Sequence, residues 1–276
     1  MKTRPFISNI ELTTDGHLSL FFIGTGNAFT KTAFQTNLLI VKGKSHLLVD
    51  CGTLCSYAFE NVYGGKINDI KNLLLTHPHA DHIGGVEELA LVDRYVKKQK
   101  GNLVITDEFK QLLWDESLKG GLKVNEEGPL NLDDYFNQIK PELLQTEPFE
   151  MYETNVGSIN IKLFRTNHVT CKETGDFQIS YGVLIDDKVL YPCDTQFNQQ
   201  QLEYLIEKYP VKVIFHDCDI SGYSEGVHAS YAQLKTLPDN IRAMTYLCHY
   251  NGKAETINPE DDGFRKFARP GVWYRC

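Results

Sequence analysis

The sequence predicts an α/β fold in which two stacked sheets carry helices on their outer faces, as a single domain over 1–276. Three observations point there. Short β-rich apolar runs recur along the chain and are bounded by Gly, Asp, Asn or Pro; the early runs follow one another directly while the later ones alternate with segments of helical spacing; and no linker, repeat or low-complexity tract divides the 276 residues. A composition of 42% hydrophobic and 23% charged residues belongs to an ordinary globular chain long enough to bury a substantial core.

The first strand is read over 18–23, Leu-Ser-Leu-Phe-Phe-Ile, where Gly24 stops it. Two more follow over 37–41 and 46–50, the second closing on Asp50-Cys51-Gly52. A fourth over 72–76 runs into a proline-containing turn, and helical spacing then sets in over 83–98 and 107–119. The stretch 120–148 carries Gly120-Gly121, prolines and large apolar residues, and reads as a lid, a dimerisation arm or a long surface connection. Beyond it, strands over 158–165, 178–185 and 188–191 precede a helix over 199–209, a strand over 211–216, a helix over 228–236 and a strand over 243–248.

Acidic side chains outnumber basic ones by 36 to 28, for a formal charge of −8. Such a surface has no general attraction for polyphosphate, which disfavours stable nucleic-acid partners and anionic membranes and makes any phosphate recognition local. No run approaches the roughly eighteen uncharged apolar residues of a membrane span, and the N-terminus lacks an apolar leader, so the chain is expected in the cytoplasm. Seven cysteines, an odd number, are expected as reduced thiols; Cys51 and Cys55 are the closest set but lack a second pair to complete a zinc site. Gly24-x-Gly26 lacks the third glycine and the helix of a dinucleotide loop and reads as a tight turn.

Chemistry concentrates in Thr76-His77-Pro78-His79-Ala80-Asp81-His82, which follows an apolar strand and leads into a helix. Pro78 holds His77 out of the α region, so the imidazoles of His77 and His79 converge from one side of an extended segment. Asp81 and His82, at the helix start, can serve a second ion nearby. A lone histidine is ordinarily hydrogen-bonded or exposed, and packing would space imidazoles at strand or helix period. Neither accounts for four ligand-type side chains in six positions, so the segment is read as a metal site.

This run resembles the H-x-H-x-D-H motif of the metallo-β-lactamase superfamily, matched in full by His77, His79, Asp81 and His82. The likeness extends to Phe22-Ile23-Gly24-Thr25-Gly26-Asn27 and to Leu48-Val49-Asp50-Cys51-Gly52 with its buried aspartate. It implies an αββα metallo-β-lactamase sandwich holding two Zn²⁺ ions, with Mn²⁺ an option. His77, His79 and His168 would hold one ion, Asp81, His82 and His249 the other, and Asp194 would bridge them. Such a centre lowers the pKa of bound water and clamps attacking and leaving oxygens, which suits phosphodiester hydrolysis. Cys193 beside Asp194 would be a soft ligand, but in an extended segment neighbouring side chains face opposite ways, so both are not expected to reach the metals.

Within that superfamily, Phe215-His216-Asp217-Cys218-Asp219 at a strand end, followed by Gly226-Val227-His228, resembles the RNase Z-like branch. By that likeness Asp81, Asp217 and His228 are the candidate catalytic residues: His228 protonates the leaving oxygen, Asp217 orients it, and His216 only supports the pair. A helix-start histidine capped by its own turn is the plainer alternative for His228. The tRNA-processing members of that branch insert a basic arm between the third histidine and the bridging aspartate. Here the interval from His168 to Asp194 already holds two strands, with Lys172 and Lys188 as its basic residues, so a small phosphodiester is expected.

Further stretches, Ala80-Asp81-His82-Ile83-Gly84-Gly85-Val86-Glu87, Leu132-Asp133-Asp134-Tyr135-Phe136, Asp194-Thr195-Gln196-Phe197 and His216-Asp217-Cys218 among them, resemble the anti-Pycsar phosphodiesterases of phages and their bacterial relatives. That resemblance implies hydrolysis of 3′,5′-cyclic nucleotides (cCMP, cUMP, cAMP, cGMP) to nucleoside monophosphates, blocking cyclic-nucleotide anti-phage signalling. It also implies a homodimer in which each protomer helps to cover its partner's site, which would give 120–148 a role. Phe29, Phe34, Tyr223 and Tyr250 are candidates by position for stacking on a base. The alternative hydrolases are a glyoxalase II-like thioesterase and an RNase Z-like nuclease; a non-catalytic binding protein would be expected to have lost ligands.

Overall fold

The structure is a computed structural model and describes residues 1–222 and 226–276. Their strands form two eight-stranded sheets of matching design. In the first, Lys2–Pro5, Val272–Arg275, Leu18–Gly24, Asn37–Lys42 and Ser45–Val49 pair antiparallel, and Asn72–Leu74, Gly101–Val104 and Phe136–Ile139 add on in parallel. In the second, Glu142–Gln145, Met151–Val156, Ile159–Arg165, Tyr181–Ile185 and Val189–Tyr191 are antiparallel, and Val213–Asp217, Thr245–Cys248 and Lys266–Phe267 continue in parallel.

Strands covered on both faces need apolar side chains at consecutive positions, and alternate ones go to different places. Val183, Ile185, Val189, Tyr191, Val213, Phe215 and Cys248 belong to the core shared with the first sheet, where the Phe215 ring lies 4.9 Å from that of Phe22. The residues between them, Leu184, Leu190, Ile214 and Leu247, pack outward on Leu202 and Leu205 of the helix Gln199–Lys208 and on Leu234 of the helix Tyr231–Leu234. Val86 and Leu89 of Val86–Leu91, with Phe109 and Leu113 of Asp107–Leu113, join the core of the first sheet. Each such side chain taken out of water contributes roughly 1.5–3 kcal/mol. The layered αββα sandwich expected from the sequence is the one observed.

The differences have local causes. Met151–Val156 lies outside the predicted set because Met-Tyr-Glu-Thr-Asn-Val offers few apolar side chains to read. The helix expected over 83–98 breaks at Gly84-Gly85; Val86–Leu91 then runs on in wider turns through Val92–Lys97. The helix expected over 228–236 contracts to Tyr231–Leu234. Ser230 caps it: its hydroxyl accepts from Gln233 N at 3.2 Å while the Gln233 side chain accepts from Ser230 N at 3.0 Å. His228 therefore precedes the helix instead of starting it.

The stretch 120–148 completes the helix Lys119–Leu122, makes a small hairpin of Val124–Asn125 with Gly128–Pro129, and then supplies an edge strand to each sheet in turn, Phe136–Ile139 and Glu142–Gln145. It is where the chain crosses from one sheet to the other. Among the described residues no helix is long and apolar enough to cross a membrane.

Candidate metal centre

The site residues gather where strands end. His77 follows Asn72–Leu74, Asp217 closes Val213–Asp217 and His249 follows Thr245–Cys248, all at the carboxyl ends of parallel strands, where open α/β sheets leave room for a ligand. His168 and Asp194 follow the carboxyl ends of Ile159–Arg165 and Val189–Tyr191, strands of the antiparallel part of the second sheet. Asp50, Cys193 and His249 adopt left-handed backbone with φ of 64°, 57° and 56°, a conformation costing a non-glycine residue of order 1 kcal/mol and found where a site requires it. At Cys193 this turn breaks the extended run read from the sequence. The thiol goes into the core between the sheets, and Asp194 alone of the two enters the site. Gly52 lets two site loops meet, since a Cβ there would lie 2.0 Å from the Asp81 carbonyl oxygen.

His77, His79 and His168 form one group. His79 Nδ1 lies 3.0 Å from His77 Nε2 and 3.1 Å from His168 Nε2. Burial keeps these rings neutral, pushing His77 well below its ordinary pKa and His168 down to about 4. His168 donates Nδ1–H to the Val227 carbonyl at 2.9 Å, so its Nε2 carries a lone pair. Thr76 Oγ1 gives its proton to Asp50 Oδ2 at 2.9 Å and accepts from His77 Nδ1 at 3.1 Å, which leaves His77 Nε2 bare as well. Two lone pairs thus converge beside His79 Nδ1. A cation shared by the three nitrogens relieves that repulsion, and three imidazoles with an open position are a common donor set for catalytic zinc.

Asp81, His82, Asp194 and His249, all buried, form the second group. Asp194 Oδ2 sits between the groups, 3.1 Å from His249 Nε2 and 3.2 Å from His82 Nε2, yet 3.8 Å and 3.9 Å from the Nε2 atoms of His77 and His168. Asp81 Oδ2 is 3.3 Å from His82 Nε2 and 3.4 Å from His249 Nε2. Burial alone would lower the His249 pKa, but Asp194, Asp217 and Asp81 push it up to about 10, and carboxylates raise His82 likewise. Against the same burial, the His82 and His249 rings hold the Asp81 and Asp194 carboxyls below the usual carboxylate range. The carboxylates call for positive charge, and His82 Nε2 and Asp194 Oδ1 are buried without a hydrogen-bond partner. The mixed N/O donors of the two groups fit divalent Zn²⁺ or Mn²⁺.

Behind both groups stands Asp50. It accepts His82 Nδ1–H at 2.8 Å directly and reaches His77 through the Thr76 hydroxyl, so one buried carboxylate orients a histidine of each group. The sequence showed Asp50 only as a buried strand-end aspartate, and the Val227 carbonyl, a backbone atom, left no signal there.

His228 donates Nδ1–H to Asp217 Oδ2 at 2.6 Å. Asp217 also accepts from Thr195 N at 3.1 Å, and its other oxygen lies 3.4 Å from His249 Nδ1, so it orients both His228 and a residue of the second group. The His228 ring stacks on that of His249 with centroids 4.9 Å apart. Burial would lower its pKa, but Asp217 raises it and favours the proton-bearing ring. His216 donates Nδ1–H to the Asp217 carbonyl at 2.7 Å and lies outside both groups.

A cavity of about 710 Å³ opens over His79, Asp81, Asp194, His228 and His249. Of the aromatic candidates, Phe29 lines it. Tyr250 does not: it is 4% exposed and donates its hydroxyl to the Ala268 carbonyl at 2.6 Å, which corrects its reading as a stacking residue. Phe34 packs against the core, and Tyr223 lies outside the described residues. Cys51 and Cys55 are buried outside the ligand groups, and no residue of 120–148 lines the cavity.

The family model for the anti-Pycsar protein Apyc1 matches residues 18–274. An anti-Pycsar protein Apyc1 of Paenibacillus xerothermodurans is 34% identical over 238 residues, covering 86% of this chain and 90% of its own. Another, of Bacillus phage vB_BsuM-Goe3, is 33% identical over 263 residues, covering 91% and 96%. Among solved structures, the metallo-β-lactamase fold protein YhfI of Bacillus subtilis superposes with a TM-score of 0.66 over 94% of this chain and 100% of its own, at 16% identity, a likeness of fold.

Proposed function

This chain belongs to the anti-Pycsar protein Apyc1 family, and from that premise we propose that it is a metal-dependent phosphodiesterase opening 3′,5′-cyclic nucleotides to nucleoside monophosphates. The observation that carries the reading is the Asp217–His228 pair, joined at 2.6 Å beside a three-histidine group and a histidine–carboxylate group under one cavity. His77, His79 and His168 would hold one ion and Asp81, His82 and His249 the other, with Asp194 between them. Two Zn²⁺ or Mn²⁺ ions bound there supply Lewis acidity toward phosphoryl oxygens and water of lowered pKa.

The remaining work falls to side chains. Opening the ring breaks a P–O bond to a ribose oxygen, a poor leaving group unless protonated as it departs. His228 carries that proton and Asp217 fixes its tautomer and direction. Asp81, which lines the cavity, orients the attacking water, and Asp50 keeps His77 and His82 aimed. A thioesterase expels a weakly basic thiolate and has no use for His228. The interval from His168 to Asp194 is occupied by Tyr181–Ile185 and Val189–Tyr191, which leaves no arm for a folded RNA and favours a small substrate over the RNase Z-like alternative.

The reading includes a homodimer, for which the exposed Leu143 and Leu144 on the edge strand Glu142–Gln145 offer an apolar edge. In a cell the reaction would silence cyclic-nucleotide anti-phage signalling. The test is one assay of the zinc-loaded protein against 3′,5′-cyclic nucleotides, a linear dinucleotide, a thioester and a β-lactam. Cyclic nucleotides are expected to open to linear monophosphates. Turnover of the thioester or lactam with every cyclic nucleotide left intact overturns the proposal.

A further inference from the structure

Phe29 is 86% exposed, more than any other large apolar side chain of the described residues. Its backbone is nevertheless fixed. Asn27 Oδ1 accepts from Phe29 N at 3.2 Å, Thr30 N at 3.1 Å and Thr30 Oγ1 at 2.8 Å. Asn27 N in turn donates to the Tyr250 carbonyl at 3.0 Å, which ties the turn to the residue after His249. Below it Gly26 permits the close fold, since a Cβ there would lie 2.7 Å from Thr30 Cβ.

An exposed phenylalanine on a loose loop is ordinary surface. On a locked turn that lines the same cavity as Asp81, Asp194 and His228, it is a platform. We infer that Phe29 forms the base-binding wall of the site, with the nucleobase stacked on its ring while the phosphate lies at the two groups of ligand-type side chains. The inference rests on the cyclic-nucleotide reading above and adds a specificity to it. Phenylalanine has no donor or acceptor, so it reads the π-face that every base presents and not the hydrogen-bonding edge. A side chain with two torsions on a fixed turn also loses little freedom when a base settles on it. Purine and pyrimidine substrates should therefore depend on Phe29 alike, and a substrate without a base should not.

The test uses the full-length, metal-loaded protein as wild type, Phe29→Ala and Phe29→Tyr. Kd for a non-hydrolysable phosphorothioate of 3′,5′-cAMP is measured by calorimetry. KM and kcat are measured for 3′,5′-cAMP, 3′,5′-cCMP and a ribose 3′,5′-cyclic phosphate bearing methoxy in place of the base. Phe29→Ala is expected to raise Kd, and KM for both nucleotides, by roughly 5- to 100-fold, with the loss on KM more than kcat, the base-free substrate unaffected and Phe29→Tyr near wild type. Unchanged Kd and KM in Phe29→Ala overturn the inference while the phosphodiesterase reading stands. So does a change of sedimentation with KM unchanged, which would mark Phe29 as a contact between copies. Wild-type protein that neither binds nor cleaves cyclic nucleotides overturns the function itself.

Discussion

A ribose oxygen leaves a phosphodiester as a strongly basic alkoxide, so losing its proton donor should cost rate without costing metal. His228 is outside both proposed ligand sets, although its ring also meets Asp194, Asp217 and His249 in a third group of ligand-type atoms, and its proton is favoured by Asp217 at 2.6 Å. His228→Ala should lower kcat on a cyclic nucleotide by roughly 10²- to 10⁴-fold with metal content unchanged. Near-normal kcat with metals intact would remove His228 from the mechanism. Asp217→Asn should be milder in rate; because its other oxygen lies 3.4 Å from His249 Nδ1, it should also loosen metal, which His228→Ala should not. Asp81→Ala and Asp194→Ala should lose metal and rate together. His77, His79, Asp81 and His82 were legible because chemistry-bearing side chains crowd one short run, whereas His168, Asp194 and His249, scattered along the chain, were indicated only by the family resemblance. Tyr250 was misread for the opposite reason: next to His249 in sequence, it turns its hydroxyl to Ala268, and burial of a single aromatic leaves no mark in its neighbours.

At the scale of elements, the site depends on two loops meeting between strand ends. Cys51 N donates to the His82 carbonyl at 2.7 Å and Gly85 N to the Cys51 carbonyl at 2.8 Å, so the loop after Ser45–Val49 is laced to the helical turn Ala80–Ile83 that carries Asp81 and His82. Gly52→Ala would set a Cβ 2.0 Å from the Asp81 carbonyl oxygen, where backbone has to move. Overpacking of this kind costs about 1–3 kcal/mol, and the strain falls on a ligand-bearing loop. The variant should melt lower and hold zinc more weakly in a chelator competition. Gly120→Ala, with nothing within 4 Å of its Cβ, is the control and should match wild type or melt slightly higher. Equal melting and equal zinc affinity for Gly52→Ala would show that the loops do not need this contact. The strands that frame these loops were legible where both faces are covered, as in Tyr181–Ile185, whose residues are all buried. Glu142–Gln145, an exposed edge strand, was not, because solvent accepts almost any residue there. The helix expected from 228 failed at a cap: Ser230 outcompetes the apolar spacing that suggested an earlier start.

For the whole molecule, the two ligand groups draw on both layers of the sandwich. His77, His79, Asp81 and His82 follow a strand of the first sheet, while His168, Asp194 and His249 follow strands of the second, so bound ions would cross-link the sheets at one end. Without ions, that end keeps the buried carboxylates of Asp81, Asp194 and Asp217 balanced by the rings of His82, His249 and His228. A ligand that binds only the folded state, at a free concentration about 1,000 times its Kd, adds about 4 kcal/mol of stability per site. For a chain of this size each kcal/mol moves Tm by roughly 2–4 °C. Filling one site should therefore raise Tm by roughly 8–16 °C, and filling the second should raise it again by a similar amount. Melting of chelator-treated protein across a zinc titration, with bound metal counted by elemental analysis, measures this directly. Two metals per chain and a Tm that climbs until both are bound are expected. A Tm that reaches its plateau at one metal per chain, with full activity, would mean that the second group, its orphaned His82 Nε2 and Asp194 Oδ1 included, is satisfied without an ion.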